Sequence, residues 1–124
     1  MSIIKDIKMD NVWFVAQRKF AKTIEIKIIQ TTGEAYMLES GDQVVFAAKR
    51  RLSDTNAAIK VVVTNENQNE NGIISIELTG TNTDVEAGRY FFNIVLKAGI
   101  AKVPLAPSGY LLIENNAILP SDFN

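Results

Sequence analysis

Arg89-Tyr90-Phe91-Phe92-Asn93-Ile94-Val95-Leu96-Lys97 is the stretch on which the fold turns. Tyr90, Phe92, Ile94 and Leu96 share one parity; Arg89, Phe91, Asn93, Val95 and Lys97 share the other. Side chains alternate across a β-strand with a period of two. The first set therefore reads as a core face, and the second, mixed in character, as the opposite face.

The same period recurs on both sides of this stretch. Upstream, Ile24, Ile26 and Ile28 oppose Glu25 and Lys27, giving a half-buried strand over Lys22–Gln30. Val44, Phe46 and Ala48 alternate with Val45, Ala47 and Lys49 in a second strand. Ile59, Val61 and Val63 make one face of a third, and Ile74, Ile76 and Leu78 one face of a fourth over residues 73–79. Downstream, residues 101–105 and 109–114 read as two strands, the first confined to an edge by Pro104. Residues 11–16 read as a further strand or an arm.

Turn residues separate these runs. Thr31-Thr32-Gly33-Glu34 turns the chain, and Tyr36 and Leu38 read as a short strand continuation before Ser40-Gly41-Asp42 turns it again. Ser53-Asp54-Thr55-Asn56 breaks the second long strand. Residues 65–72 form a polar loop ending in Asn71-Gly72, a hairpin signal because both residues tolerate positive φ. A short helical turn is expected at residues 83–87, and a turn at Ala98-Gly99. Six to eight short strands with turns every eight to twelve residues predict an all-β chain. The expected architecture is an antiparallel immunoglobulin-like β-sandwich, with a β-barrel as the alternative. Its expected core holds Ile26, Phe46, Val61, Ile76, Tyr90, Phe92 and Ile94. The division is residues 1–20 as an N-terminal strand or arm, 21–116 as the sandwich, and 117–124 as a tail.

Composition excludes much chemistry. The 124 residues suit one domain, and 47% are apolar, enough for a sizeable core. Thirteen Lys and Arg stand against fourteen Asp and Glu, which gives no overall electrostatic reason for nucleic acid or an anionic membrane as partner. There is no Cys and no His. Disulfides, thiolate metal sites, Ser–His–Asp triads and Cys–His pairs are thereby removed. No phosphate-binding glycine loop or nucleophile elbow is present. The acids are scattered through turns and exposed faces, so no carboxylate pair of glycosidase type stands out. The chain is expected to be no enzyme and to need no cofactor or metal. Residues 1–9 alternate Ile with Lys and Asp and lack the apolar core of a signal peptide. Synthesis in a cytoplasm without export is the expectation.

Three segments carry binding potential. Residues 65–71 are rich in oxygen ligands, but the run has no Asp and no calcium-loop spacing, so it reads as a solvated loop. Lys49-Arg50-Arg51 reads as a charged strand end that guards an edge. Trp13 and Phe14, beside Val12 and Val15, are the candidate partner-binding residues, because Trp and Phe concentrate in interface centres; the competing reading is a core strand.

Taken together, some of these turns resemble a known family. Ser40-Gly41-Asp42 precedes an apolar strand, and a polar loop ends in Asn71-Gly72-Ile73. Leu78-Thr79 then runs through Thr83 to Ala87-Gly88-Arg89-Tyr90-Phe91-Phe92-Asn93-Ile94. Over residues 24–113 this resembles the N-terminal domain of phage baseplate upper proteins. The resemblance implies an immunoglobulin-like domain docked on a phage tail or baseplate. Family members continue into a trimeric coil and a receptor-binding region, whereas this chain ends at Asn124. It is expected to be either a stand-alone component or a domain of a longer chain, and residues 1–20 have no counterpart in the family.

The leading expectation is a virion structural protein, an adaptor acting by protein–protein binding. Its expected partners are other virion proteins, with copies of itself as a second candidate, and neither nucleic acid nor membrane. The alternatives are a carbohydrate-binding sandwich, with Trp13, Tyr36, Phe91 and Tyr110 as the aromatics a sugar would need, and an accessory domain of a bacterial surface protein.

Overall fold

The computed structural model describes residues 4–8 and 13–123. Asn11 and Val12 of the expected N-terminal strand lie outside the described residues. Eight strands are present among those described: β1 (Ile4–Lys8), β2 (Trp13–Gln17), β3 (Lys22–Gln30), β4 (Gln43–Lys49), β5 (Ile59–Val63), β6 (Ile74–Leu78), β7 (Gly88–Ala98) and β8 (Ala101–Glu114). They form a three-stranded sheet, β1-β3-β6, and a five-stranded sheet, β2-β8-β7-β4-β5. Every pairing is antiparallel except that of β2 with β8, which is parallel. The all-β sandwich expected from the sequence is the fold observed.

The core forms where the alternating faces meet. Ile24, Ile26 and Ile28 of β3 and Ile74, Ile76 and Leu78 of β6 point inward from one sheet. Val44, Phe46, Tyr90, Phe92, Ile94, Leu96, Leu111 and Ile113 point inward from the other. Phe46 and Phe92 stack with ring centroids 5.1 Å apart. Each such side chain withdrawn from water contributes about 1.5–3 kcal/mol before entropy is counted. Of the seven expected core residues, only Val61 stays half-buried: β5 is an edge strand, with no strand on its outer side among the described residues.

Local expectations failed where long-range contacts decided. Tyr36 and Leu38 belong to a loop, not a strand: the Tyr36 hydroxyl donates to Asp42 Oδ2 at 2.8 Å, and Gln68 bonds both the Leu38 N–H and the Tyr36 carbonyl. Residues 83–87 form no helix; buried Thr83 donates its hydroxyl to the Phe20 carbonyl at 2.8 Å, which pins the segment to the β2–β3 connection. The two strands expected over residues 101–114 are one strand, β8, whose register with β7 shifts between Phe92–Gly109 and Ile94–Leu105. Pro104 does lie on an edge, since β2 pairs only with Tyr110–Glu114. The side chain of Pro107 lies outside what the structure describes.

Asn71-Gly72 does not make a hairpin between paired strands. β5 and β6, which flank the loop, belong to different sheets, so the segment is a corner of the sandwich. Only Gly72 has positive φ, +85°. The true two-residue hairpin is Gly99-Ile100 between β7 and β8, with Gly99 at φ +63° in the first turn position, where a II′ turn needs glycine.

Candidate docking face

β2 splits the sequence pair Trp13-Phe14 between its two sides. Phe14 turns inward and packs on Phe92 with centroids 5.7 Å apart, so it works as packing. Trp13 turns outward and is 44% exposed. It lies beside Tyr110, ring centroids 4.7 Å apart, and Tyr110 lies 5.3 Å from Phe91 on β7. The Arg89 guanidinium sits 5.2 Å from the Tyr110 ring centre and 5.4 Å from that of Phe91, at cation–π distance.

The strand register adds two further apolar rows on the same side, the second joined to the aromatic row through Ala47 and flanked there by exposed Asn93 and Lys60. Val15 pairs with Leu112 and Leu112 with Arg89. Val62 pairs with Val45 and Val45 with Val95. These partners share parity with Trp13, Tyr110 and Phe91, so they face the same side. Ala47, Lys49, Leu52, Phe91 and Asn93 enclose a depression of ≈ 300 Å³ on it. A contiguous apolar surface of this kind marks an interaction site more often than an isolated exposed leucine does.

The sequence carried a signal for this face that alternation analysis passed over. Val44-Val45-Phe46-Ala47-Ala48 is apolar on both parities. So are Tyr110-Leu111-Leu112-Ile113 and much of β7. A strand apolar on both faces belongs where both faces are covered. Of the aromatics considered for sugar binding, Phe91, Tyr110 and Trp13 come together here, whereas Tyr36 lies apart against Asp42.

The other candidate segments serve the fold. Lys49-Arg50-Arg51 does not guard an edge, because β4 is flanked by β5 and β7. Lys49 Nζ donates to the Asp54 carbonyl at 2.7 Å. Arg50 Nη1 donates to the Ala87 carbonyl at 2.9 Å, lies 3.7 Å from Glu86 Oε1, and sits over the Tyr90 ring. In the loop at residues 65–71 the oxygens turn onto their own backbone: Asn67 Oδ1 accepts from Thr64 N–H, and Asn69 Oδ1 from Asn71 and Ile73 N–H, all at 2.9 Å. Among the described residues no group of three or more His, Cys, Asp or Glu is placed to hold a metal.

The buried carboxylate of Asp42 accepts from the Tyr36 hydroxyl and from Glu39 N–H at 2.9 Å. Burial, then the hydrogen bond and charge of Asp42, with Glu39 adding to them, push the Tyr36 phenol up to about 12. This pair fixes the crossover between the sheets. No helix among the described residues is long and apolar enough to cross a membrane.

No protein-family model matches the chain, and no curated protein sequence matches it. Solved structures do match in shape. The filamin domain of Lin-41 superposes with a TM-score of 0.61 at 18% identity, covering 91% of this chain and 96% of that domain. An endo-β-1,4-mannanase from Thermotoga petrophila gives 0.53 at 10% identity, covering 94% of this chain and 20% of the mannanase. Domains 4 and 5 of the S-layer protein SbsC give 0.50 at 11% identity, covering 92% of this chain and 47% of that one. At such identities the likeness is one of fold alone, and that fold is the immunoglobulin-like β-sandwich.

Proposed function

We propose that this chain is a non-catalytic docking domain that binds another protein through the outer face of its five-stranded sheet. The observation that carries the reading is the continuity of Trp13, Tyr110 and Phe91 with Val15, Leu112, Val45, Val62 and Val95 on one open sheet face. Exposed Trp and Tyr beside Arg are the residue types that concentrate in interfaces. The turn motifs that resemble phage baseplate upper proteins support a virion as the setting, with a neighbouring tail or baseplate protein as the partner.

The test is co-expression with the product of each neighbouring gene. One product should co-purify with the chain, and Phe91→Ser combined with Trp13→Ser should abolish that while the chain keeps its cooperative unfolding. A partner retained by the double variant would defeat the assignment of this face. Neighbouring genes unrelated to tails would defeat the virion setting.

A further inference from the structure

The docking face is electrostatically one-sided. Resting on the docking reading above, we infer that its occupant is an acidic segment of a partner protein that inserts a large apolar side chain beside Phe91. Five cations share the outward parity of the five-stranded sheet: Lys49, Lys60, Arg89, Lys97 and Lys102. The only carboxylate of that parity on these strands is Glu114, at the end of β8, where it accepts from Gln17 Nε2. The chain as a whole carries a net charge of −1, so the excess is local to this face.

None of the five meets a carboxylate among the described residues: Lys49 has only the Asp54 carbonyl and Arg89 only the faces of Phe91 and Tyr110. The two ion pairs among the described residues, Arg18–Asp84 and Arg50–Glu86, use none of them. Lys97 stands directly opposite Lys102, and like charges so placed in a sheet oppose each other. An anionic partner relieves that repulsion.

The arrangement also selects among anionic and neutral occupants. Lys97 and Lys102 lie on one side of the row Val95–Val45–Val62, and Arg89, Lys49 and Lys60 step across the strands on its other side, so an occupant must bury apolar surface between its charged contacts, which a bare phosphate backbone does not do. Trp13, Tyr110 and Phe91 lean on one another at 36° and 56°, and Arg89 covers two of the rings, which leaves little open ring face for a base or sugar to stack on. A second copy docking by the same face would set cations against cations. An acidic segment satisfies both parts: its apolar residue fills the depression between Leu52 and Phe91, and its carboxylates meet Lys49, Lys60 and Arg89.

Trp13 is the only tryptophan in the chain and lies on this face across Tyr110 from Phe91, so its emission reports an occupant that extends from the depression along the aromatic row, while calorimetry reports any occupant. The experiment pans a library of short random peptides on the intact chain and titrates the selected peptides by calorimetry and against Trp13 fluorescence. Acid-rich peptides with an aromatic or aliphatic residue should be selected. They should shift the emission, bind more weakly as salt rises from about 50 to about 500 mM, and lose at least tenfold in affinity with Lys60→Ala plus Arg89→Ala. Lys27→Ala, on the other sheet, should change nothing. Peptides that shift Trp13 but show no acid enrichment or charge dependence overturn this inference and leave the docking reading standing. If no peptide binds by calorimetry, or only a thymidine oligonucleotide or a manno-oligosaccharide does, both fall. A concentration-dependent dimer abolished by Phe91→Ser would give the face to a second copy and overturn the acidic partner.

Discussion

The three-stranded and five-stranded sheets bury similar side chains and display dissimilar ones. On the first, the outward residues of β3 and β6 include Thr23, Glu25, Lys27, Ser75 and Glu77, two acids and one base among small polar groups. On the second, valines, leucines and aromatics fill the same parity, and the charges among them are almost all positive. An antiparallel sandwich needs only one apolar face per sheet. Half-buried Ile29 apart, the outward residues of β3 and β6 are therefore what folding alone calls for, and the apolar outward residues of the five-stranded sheet are a surplus beyond it. This asymmetry is the ground on which the docking proposal stands.

Two adjacent residues of β7 give the largest expected difference between the buried and outward sides of the five-stranded sheet. Phe92 is fully buried against Phe46 and Phe14, and Phe91 is half-buried on the outer face. Phe92→Ala should destabilise the chain by about 3–5 kcal/mol, the lost transfer energy plus a cavity. Phe91→Ala loses mainly its contacts with Tyr110 and Arg89 and should cost about 1–2 kcal/mol. Urea unfolding of the two variants reads the difference. Equal losses would show that the outer face is core, and the asymmetry would vanish.

A smaller effect tests what fastens the β3–β4 crossover at the other sheet. Asp42→Ala strands the Tyr36 hydroxyl and the Glu39 N–H, and should cost about 1–3 kcal/mol. The same pair gives a pH dependence. The Tyr36 phenol, ordinarily near 10, is raised to about 12 in the folded chain. Its contribution is thus fully present below pH 10 and is lost as pH rises through 12, because the unfolded chain ionises first. Comparing ultraviolet titrations of the native protein and of Tyr36→Phe should show Tyr36 ionising late, and Asp42→Asn should bring it earlier. A Tyr36 that titrates near 10 in the folded chain would remove this lock.

What the sequence made legible follows the same division. Alternation placed β3 and β7 and nearly all of the core, because a half-buried strand writes its own burial as a period of two. It could not show which strands share a sheet. Asn71-Gly72 has hairpin chemistry, yet its flanking strands part company into two sheets, a choice made by the packing of Ile59 and Ile74 into a common core. Lys49-Arg50-Arg51 looked solvated, but Arg50 reaches Ala87, thirty-seven positions away. Of the docking face, Trp13 was legible as an anchor and Phe14 was read the same way; only the direction of β2 separates them. Arg89 and Lys60 were not legible at all, since a lone cation on a strand carries no sign of the cations that pairing brings alongside it.

The smallest effect is the most specific to the comparison, because it exchanges residue types between the two faces. Val62 is 44% exposed on edge strand β5, opposite Val45; Thr23 is exposed on β3, opposite Glu77. Val62→Thr and Thr23→Val both keep a β-branched side chain suited to a strand, so each should move stability by no more than about 0.5 kcal/mol. Retention on a hydrophobic-interaction column should nonetheless differ. Val62→Thr interrupts a row that continues through Val45 to Val95, and the loss is felt by a contiguous patch. Thr23→Val exchanges a hydroxyl for a second methyl among Glu25, Lys27 and Glu77, where no patch exists to extend. The first substitution should shorten retention by clearly more than the second lengthens it. Equal and opposite shifts would mean that the column senses residues singly and that the five-stranded sheet presents no continuous apolar surface. A fall in stability above about 1 kcal/mol on Val62→Thr would place Val62 in the fold's own packing.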